Sequence, residues 1–108
     1  LLSQVLVNVI KNALESFNGK LEEDEPELRI KLIPGKPDIK LDISNNGETI
    51  PPELREQIFI PFFTTRENGT GIGLSLSKQI MLKMGGDINL GSPDSSFTCF
   101  SLTLRAHE

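Results

Sequence analysis

Between Phe59 and Gly86 the chain reads FIPFFTTRENGTGIGLSLSKQIMLKMGG. Gly69, Gly71 and Gly73 occupy every second position, and an apolar run follows at once. Glycine beside a helix start costs conformational entropy. That cost is tolerated where backbone must come close to something, and at a helix N-terminus the something is often a phosphate. The apolar spacing predicts a helix over 71–84, ended by Gly85–Gly86. Residues 59–70 carry Pro, Gly, Thr and Asn with no period and read as a loop. The glycines do not make a P-loop, because no Gly-Lys-Ser/Thr follows. They do not make a dinucleotide fingerprint either: the third glycine of that motif would fall on Leu74 or Leu76.

Working outward, the N-terminal segment LLSQVLVNVIKNALESF places Leu2, Leu6, Val9, Ile10, Ala13, Leu14 and Phe17 at helical spacing. It predicts an amphipathic helix over 1–17, stopped by Asn18–Gly19. Residues 28–33 (LRIKLI) and 38–45 (DIKLDISN) alternate as strands, and PGKP between them makes an antiparallel hairpin. Residues 52–58 read as a short helix with proline near its first turn. Strands at 87–91 and 98–104 flank SPDSS. The order is helix, two strands, loop, helix, two strands, which gives an α+β layer of mostly antiparallel sheet with helices on one face.

The bulk composition narrows the function. The 108 residues suit one domain with a modest core. Hydrophobic content of 37% and charged content of 24% exclude a disordered chain. Apolar runs are too short to cross a bilayer. The net charge is −4, and Lys and Arg gather on no one segment, which argues against a nucleic-acid surface. A single cysteine, Cys99, leaves no internal disulfide framework. The acidic run EEDEPE at 22–27 reads as a solvated loop interrupted by Pro26, and His107 as a tail residue. The chain opens inside a helical pattern without a methionine or capping residue, which is the expectation for a fragment of a longer protein.

Three polar features stand out. Gln4, Asn8, Asn12 and Glu15 are spaced four, four and three, so they stack along one side of the first helix, expected opposite the apolar stripe. The plain alternative is a solvated face. Asn is a poor helix former, however, and two of them one turn apart point to a polar site. An Asn oxygen suits a hard cation such as Mg²⁺. Second, SNNGETI at 44–50 places Asn45, Asn46 and Gly47 at a strand end. These residues would serve an ordinary turn, or let a polar side chain meet a base edge. Third, FFTTR ahead of the glycines supplies Phe62 and Phe63 as an apolar hinge and Arg66 as a phosphate contact.

Taken in order, these segments resemble the GHKL superfamily in its bacterial sensor histidine kinase branch. QVLVNVIKNALESF is similar to the N box, SNNGETI to the G1 box, IFIPFF to the F box and GTGIGLSLSKQIM to the G2 box. GGDINLGSPDSSFTCFSLTL is similar to the closing strands. The resemblance covers nearly the whole chain. It implies an ATP-binding catalytic domain with the Bergerat two-layer sandwich, a mixed, mostly antiparallel sheet packed against helices.

By that resemblance Asn12 holds the Mg²⁺ that bridges the ATP phosphates, and Asn8 stands beside them. Arg66 balances charge on the γ-phosphate, so Asn8, Asn12 and Arg66 form the catalytic set. Nucleotide contacts extend to Glu15, Asn45, Gly47 and Thr98. On the glycine side they include Gly69, Thr70, Gly71, Ile72, Gly73 and Leu74, and the segment from Gly47 to Gly71 acts as a lid. Superfamily ATPases carry Glu at position 8 to activate water. Asn8 cannot act as a base, so the phosphate is expected to go to a histidine instead. That histidine belongs to a helical hairpin, the dimerising phosphoacceptor domain, which lies upstream in the family. A response regulator is the further partner. The fragment is expected to be monomeric and the full-length protein a homodimer, on the cytoplasmic side, with the inner membrane as a candidate anchor.

Two positions depart from the family pattern. Asn45 stands where the G1 box has Asp, whose carboxylate accepts from the adenine amino group. The Asn oxygen can accept the same bond, more weakly for lack of charge, and its NH₂ can donate to a ring nitrogen. Thr49 replaces the second G1 glycine, and Ser95 and Phe97 replace glycines of the closing hairpin. These departures support an alternative reading, a degenerate nucleotide-binding signalling module without phosphotransfer. A protein serine kinase of the same superfamily is a third, disfavoured by IFIPFFTTRENGTGIGLSLSKQIM.

Overall fold

The computed structural model describes residues 1–19, 25–47, 50–61, 73–91 and 97–105. Helix α1 spans Leu2–Glu15 and passes into a 3-10 turn over Ser16–Gly19. Strands β1 (Leu28–Ile33) and β2 (Asp38–Asn45) follow, then a 3-10 turn over Pro52–Leu54. Helix α2 spans Gly73–Lys83, and strands β3 (Asp87–Leu90) and β4 (Thr98–Arg105) come last. The sheet has four strands in the order β1-β2-β4-β3, and every pairing among the described residues is antiparallel.

Alternation along the strands decides which sheet face is covered. Ile43 and Asn45 on β2, Thr98, Phe100 and Leu102 on β4, and Ile88 on β3 are all buried. Registry lines them up: Ile43 lies opposite Phe100, and Ile88 opposite Leu102. Val5 and Val9 of α1 and Ile80 and Met81 of α2 close the core over this face. Phe59 meets Phe100 edge-on, with ring centroids 6.3 Å apart.

Two expectations change in detail. The buried line of α1 is Val5, Val9 and Ala13, while Leu14 is exposed. At 3.6 residues per turn that line runs beside the Asn8–Asn12 row, roughly a quarter-turn away, and not opposite it. Asn8, Asn12 and Glu15 are accordingly half-buried, and only Gln4 is exposed. Second, the short helix expected over 52–58 is one 3-10 turn followed by further i-to-i+3 bonds, from Gln57 N–H to Leu54 and from Ile60 N–H to Gln57. Helix α2 is described from Gly73 onward, within the span expected for it, and residues 71–72 lie outside the described residues.

The end of α2 follows the sequence reading. Gly85 takes φ +81°, its N–H donates to Leu82, and the Gly86 N–H donates back to Met81 at 2.9 Å. This is a Schellman closure, which favours glycine at the left-handed position. Lys78 then ties α2 to β3. Its ammonium donates to the Ile88 carbonyl (2.9 Å) and pairs with Asp87 at 2.7 Å. Burial pushes the Asp87 carboxyl up, but hydrogen bonds from Lys78 and from the Ile88 N–H, with the Lys78 charge, outweigh it and hold the group below its ordinary value. Among the described residues no helix is long and apolar enough to cross a membrane.

Candidate functional site

Two of the sequence-selected segments meet at the start of α2. Asn8 Nδ2 donates to the Gly73 carbonyl (3.3 Å) and to Ser77 Oγ (3.2 Å). The fully buried Ser77 in turn donates to the Gly73 carbonyl at 2.9 Å. This is the i-to-i−4 bond that a mid-helix Ser makes to the turn before it. Asn8 is therefore held by its amide nitrogen, and its oxygen makes no hydrogen bond among the described residues. A Cβ built on Gly73 would touch nothing closer than Asn8 at 3.8 Å, so packing among the described residues does not require glycine there. A helix head with a polar side-chain oxygen beside it suits an anion and its counter-cation.

Asn12 lies one turn further along the same flank, half-buried, and its side chain makes no hydrogen bond among the described residues. Its oxygen suits Mg²⁺, which takes few protein oxygens and shares the rest of its shell with phosphates and water. No cluster of three His, Cys, Asp or Glu occurs among the described residues to hold a metal by itself. Glu15 sits one further turn on, half-buried.

The second centre is the end of β2. Asn45, 1% exposed, accepts the Gly47 N–H on Oδ1 at 3.0 Å, and Ser16 Oγ lies 2.9 Å from the same oxygen. Gly47 is required here by close approach. A Cβ would collide with Ser16 Oγ and lie 2.8 Å from the Ser16 carbonyl. Thr98, also buried, faces Asn45 across the β2–β4 register. Asn46 has a different job. Its Oδ1 accepts the Glu27 N–H (2.7 Å) and its Nδ2 donates to the Glu25 carbonyl (2.8 Å), stitching the entry to β1 onto the turn. The ordinary-turn reading thus holds for Asn46, while Asn45 faces inward.

Leu74 packs on the edge of the core. Arg66, Gly69, Thr70, Gly71 and Ile72 lie outside the described residues, as do Phe62 and Phe63. Ser16 and Ser77 were missed in the sequence. Their signal was present: Ser77 is four residues from Gly73, and Ser16 continues the Asn8–Asn12 spacing by another four.

The whole chain, residues 1–108, matches the model of the histidine kinase-, DNA gyrase B- and HSP90-like ATPases. The chain belongs to this family. Among its relatives, the C4-dicarboxylate transport sensor protein DctB of Rhizobium meliloti is 38% identical over 96% of this chain and 16% of its own length. Sporulation kinase D of Bacillus subtilis is 39% identical over 95% of this chain and 19% of its own. The solved catalytic domain of histidine kinase ThkA superposes with a TM-score of 0.79 at 32% identity, over 96% of this chain and 65% of that one. The chain thus spans under a fifth of these two relatives' lengths. Within the ATPase family it sides with the catalytic domains of two-component sensor histidine kinases, and the α+β reading with a sheet under helices stands.

Proposed function

We propose that the chain binds Mg-ATP along the flank of α1, with the phosphates at the head of α2. In the longer protein it would pass the γ-phosphate to a histidine on a helical hairpin. The observation that carries the reading is the bond from Asn8 to Gly73, which joins the polar row of α1 to the glycine-entered helix. Asn12 and the side-chain oxygen of Asn8 would hold the cation. Mg²⁺ supplies charge neutralisation of the phosphates. Arg66 adds positive charge from the lid segment, and Gly69, Gly71 and Gly73 admit the phosphates to main-chain N–H groups. The base end of the nucleotide falls toward Asn45, Gly47 and Thr98.

An Asn at position 8 offers no base to activate water, so hydrolysis is slow and the phosphate is kept for another acceptor. The only histidine of the chain is His107, in no acceptor motif. The acceptor is the phosphoacceptor hairpin of the full-length homodimer, and a response regulator takes the phosphate next. The domain works on the cytoplasmic side.

The test supplies that hairpin as a separate polypeptide, with γ-labelled ATP and Mg²⁺. Acid-labile label on the hairpin, lost in Asn12→Ala, is the expected result, because a phosphorus–nitrogen bond is cleaved by acid. Nucleotide binding without any label would replace this reading with a signalling module that transfers no phosphate. Acid-stable label would point to a hydroxyl acceptor.

A further inference from the structure

Of the polar row Gln4, Asn8, Asn12 and Glu15, only Glu15 carries a charge. It stands one turn past Asn12, in the last turn of α1, and is half-buried. At a spacing of three residues the two Cβ atoms lie about 5–6 Å apart on one side of the helix. Among the described residues Asn12 makes no side-chain hydrogen bond, and Glu15 makes neither a hydrogen bond nor an ion pair. The ion pairs there are Arg29–Glu27 and Lys78–Asp87, so Lys11, one turn before Glu15, does not neutralise it. Local stability does not explain an acid at this place. The C-terminal end of a helix carries partial negative charge and favours cations, yet α1 has no basic residue in its last turn. Partial burial without a partner adds to the cost of the charge. A bound cation removes both penalties.

The chemistry of the cation agrees. Mg²⁺ takes one or two protein carboxylates together with substrate phosphates, and keeps several waters. Asn12 supplies a neutral oxygen only. No cluster of three His, Cys, Asp or Glu stands among the described residues, so the phosphates complete the shell. We infer that Glu15 is a further protein ligand of the nucleotide-bound cation, its carboxylate and the Asn12 side-chain oxygen taking two positions of one Mg²⁺ shell. The inference rests on the Mg-ATP reading above and adds the formal charge that two Asn oxygens lack. Without the cation, the same carboxylate faces a triphosphate of like charge and repels it. Glu15 therefore acts with opposite sign in the presence and in the absence of Mg²⁺, as no ribose or base contact does.

The test titrates the chain with ATP by calorimetry, in Mg²⁺ and in EDTA at low ionic strength, for the wild type and Glu15→Gln. Gln keeps the length and one oxygen and drops the charge. The variant should be at least as stable in urea, because the lost charge opposed the helix dipole. In Mg²⁺ it should bind ATP at least about tenfold more weakly, the scale of one charge-assisted contact. In EDTA it should bind at least as tightly as the wild type, and the more so as salt is lowered. Equal affinities in Mg²⁺ overturn the inference. Losses of equal size in Mg²⁺ and in EDTA overturn it as well, and assign Glu15 to the nucleotide itself. Failure of ATP to bind the wild type in Mg²⁺ would overturn the nucleotide site, and the cation ligand with it.

Discussion

Replacing Gly47 by Ala sets a methyl group into space that the end of α1 already fills. The new Cβ would collide with Ser16 Oγ and lie 2.8 Å from both the carbonyl carbon and the carbonyl oxygen of Ser16. Ser16 is 2% exposed, so its side chain has no solvent to swing into. Overpacking of this kind costs about 1–3 kcal/mol. The forced shift also stretches the 3.0 Å bond from the Gly47 N–H to Asn45. Losing that bond adds about 0.5–1.5 kcal/mol. The total is about 1.5–4.5 kcal/mol. At a mid-range urea slope of about 2 kcal/mol per molar, the unfolding midpoint should fall by roughly 1–2 M. Ser16→Ala removes the colliding oxygen and leaves the two backbone contacts. The double variant should therefore be more stable than the sum of the single losses by about 1 kcal/mol. A Gly47→Ala loss below about 0.5 kcal/mol, or strict additivity with Ser16→Ala, would refute the close-approach argument.

Other consequences follow from the same geometry. Phe100 is fully buried and carries the Phe59 ring on its edge, so Phe100→Ala should cost about 3–5 kcal/mol in urea unfolding. Ser77→Ala removes the hydroxyl that receives Asn8 and should cost about 1 kcal/mol. It should weaken Mg-ATP binding without abolishing it, read by calorimetry. The Asp87 carboxyl lies below its ordinary value in the fold, so its pair with Lys78 stabilises above the unfolded value and that share is lost as pH falls through the folded one. The stability gap between wild type and Asp87→Asn should accordingly narrow below about pH 4, measured by thermal unfolding across pH.

Much of this architecture was written in local pattern. The two strands of the hairpin fall at 28–33 and 38–45 as their alternation predicts, because one sheet face is buried and a slip by one residue would expose it. The double glycine after α2 was equally readable, since only a left-handed closure needs it there. The 52–58 segment was read as a helix from the proline near its first turn, a signal that a single 3-10 turn satisfies equally well. The buried stripe of α1 was displaced for a tertiary reason. The helix packs on the sheet and on α2 together, so its covered arc widens to include Val5 and the flank carrying Asn8 and Asn12. Asn8 and Asn12 could be picked from residue type alone. That Asn8 is held through its nitrogen by Gly73 and Ser77 depends on residues more than sixty positions away. Asn45 likewise meets a residue that local pattern does not pair with it, Ser16, 29 positions earlier.

The central claim is that the α1 flank holds a nucleotide through a cation at Asn12. The most direct measurement is a calorimetric titration of the chain with ATP, in Mg²⁺ and in EDTA, for the wild type and Asn12→Ala. The account predicts that Mg²⁺ tightens binding by the wild type, that Asn12→Ala loses at least about tenfold in Mg²⁺, roughly one charge-assisted contact, and that the two proteins agree in EDTA. Equal affinities in Mg²⁺ would contradict it.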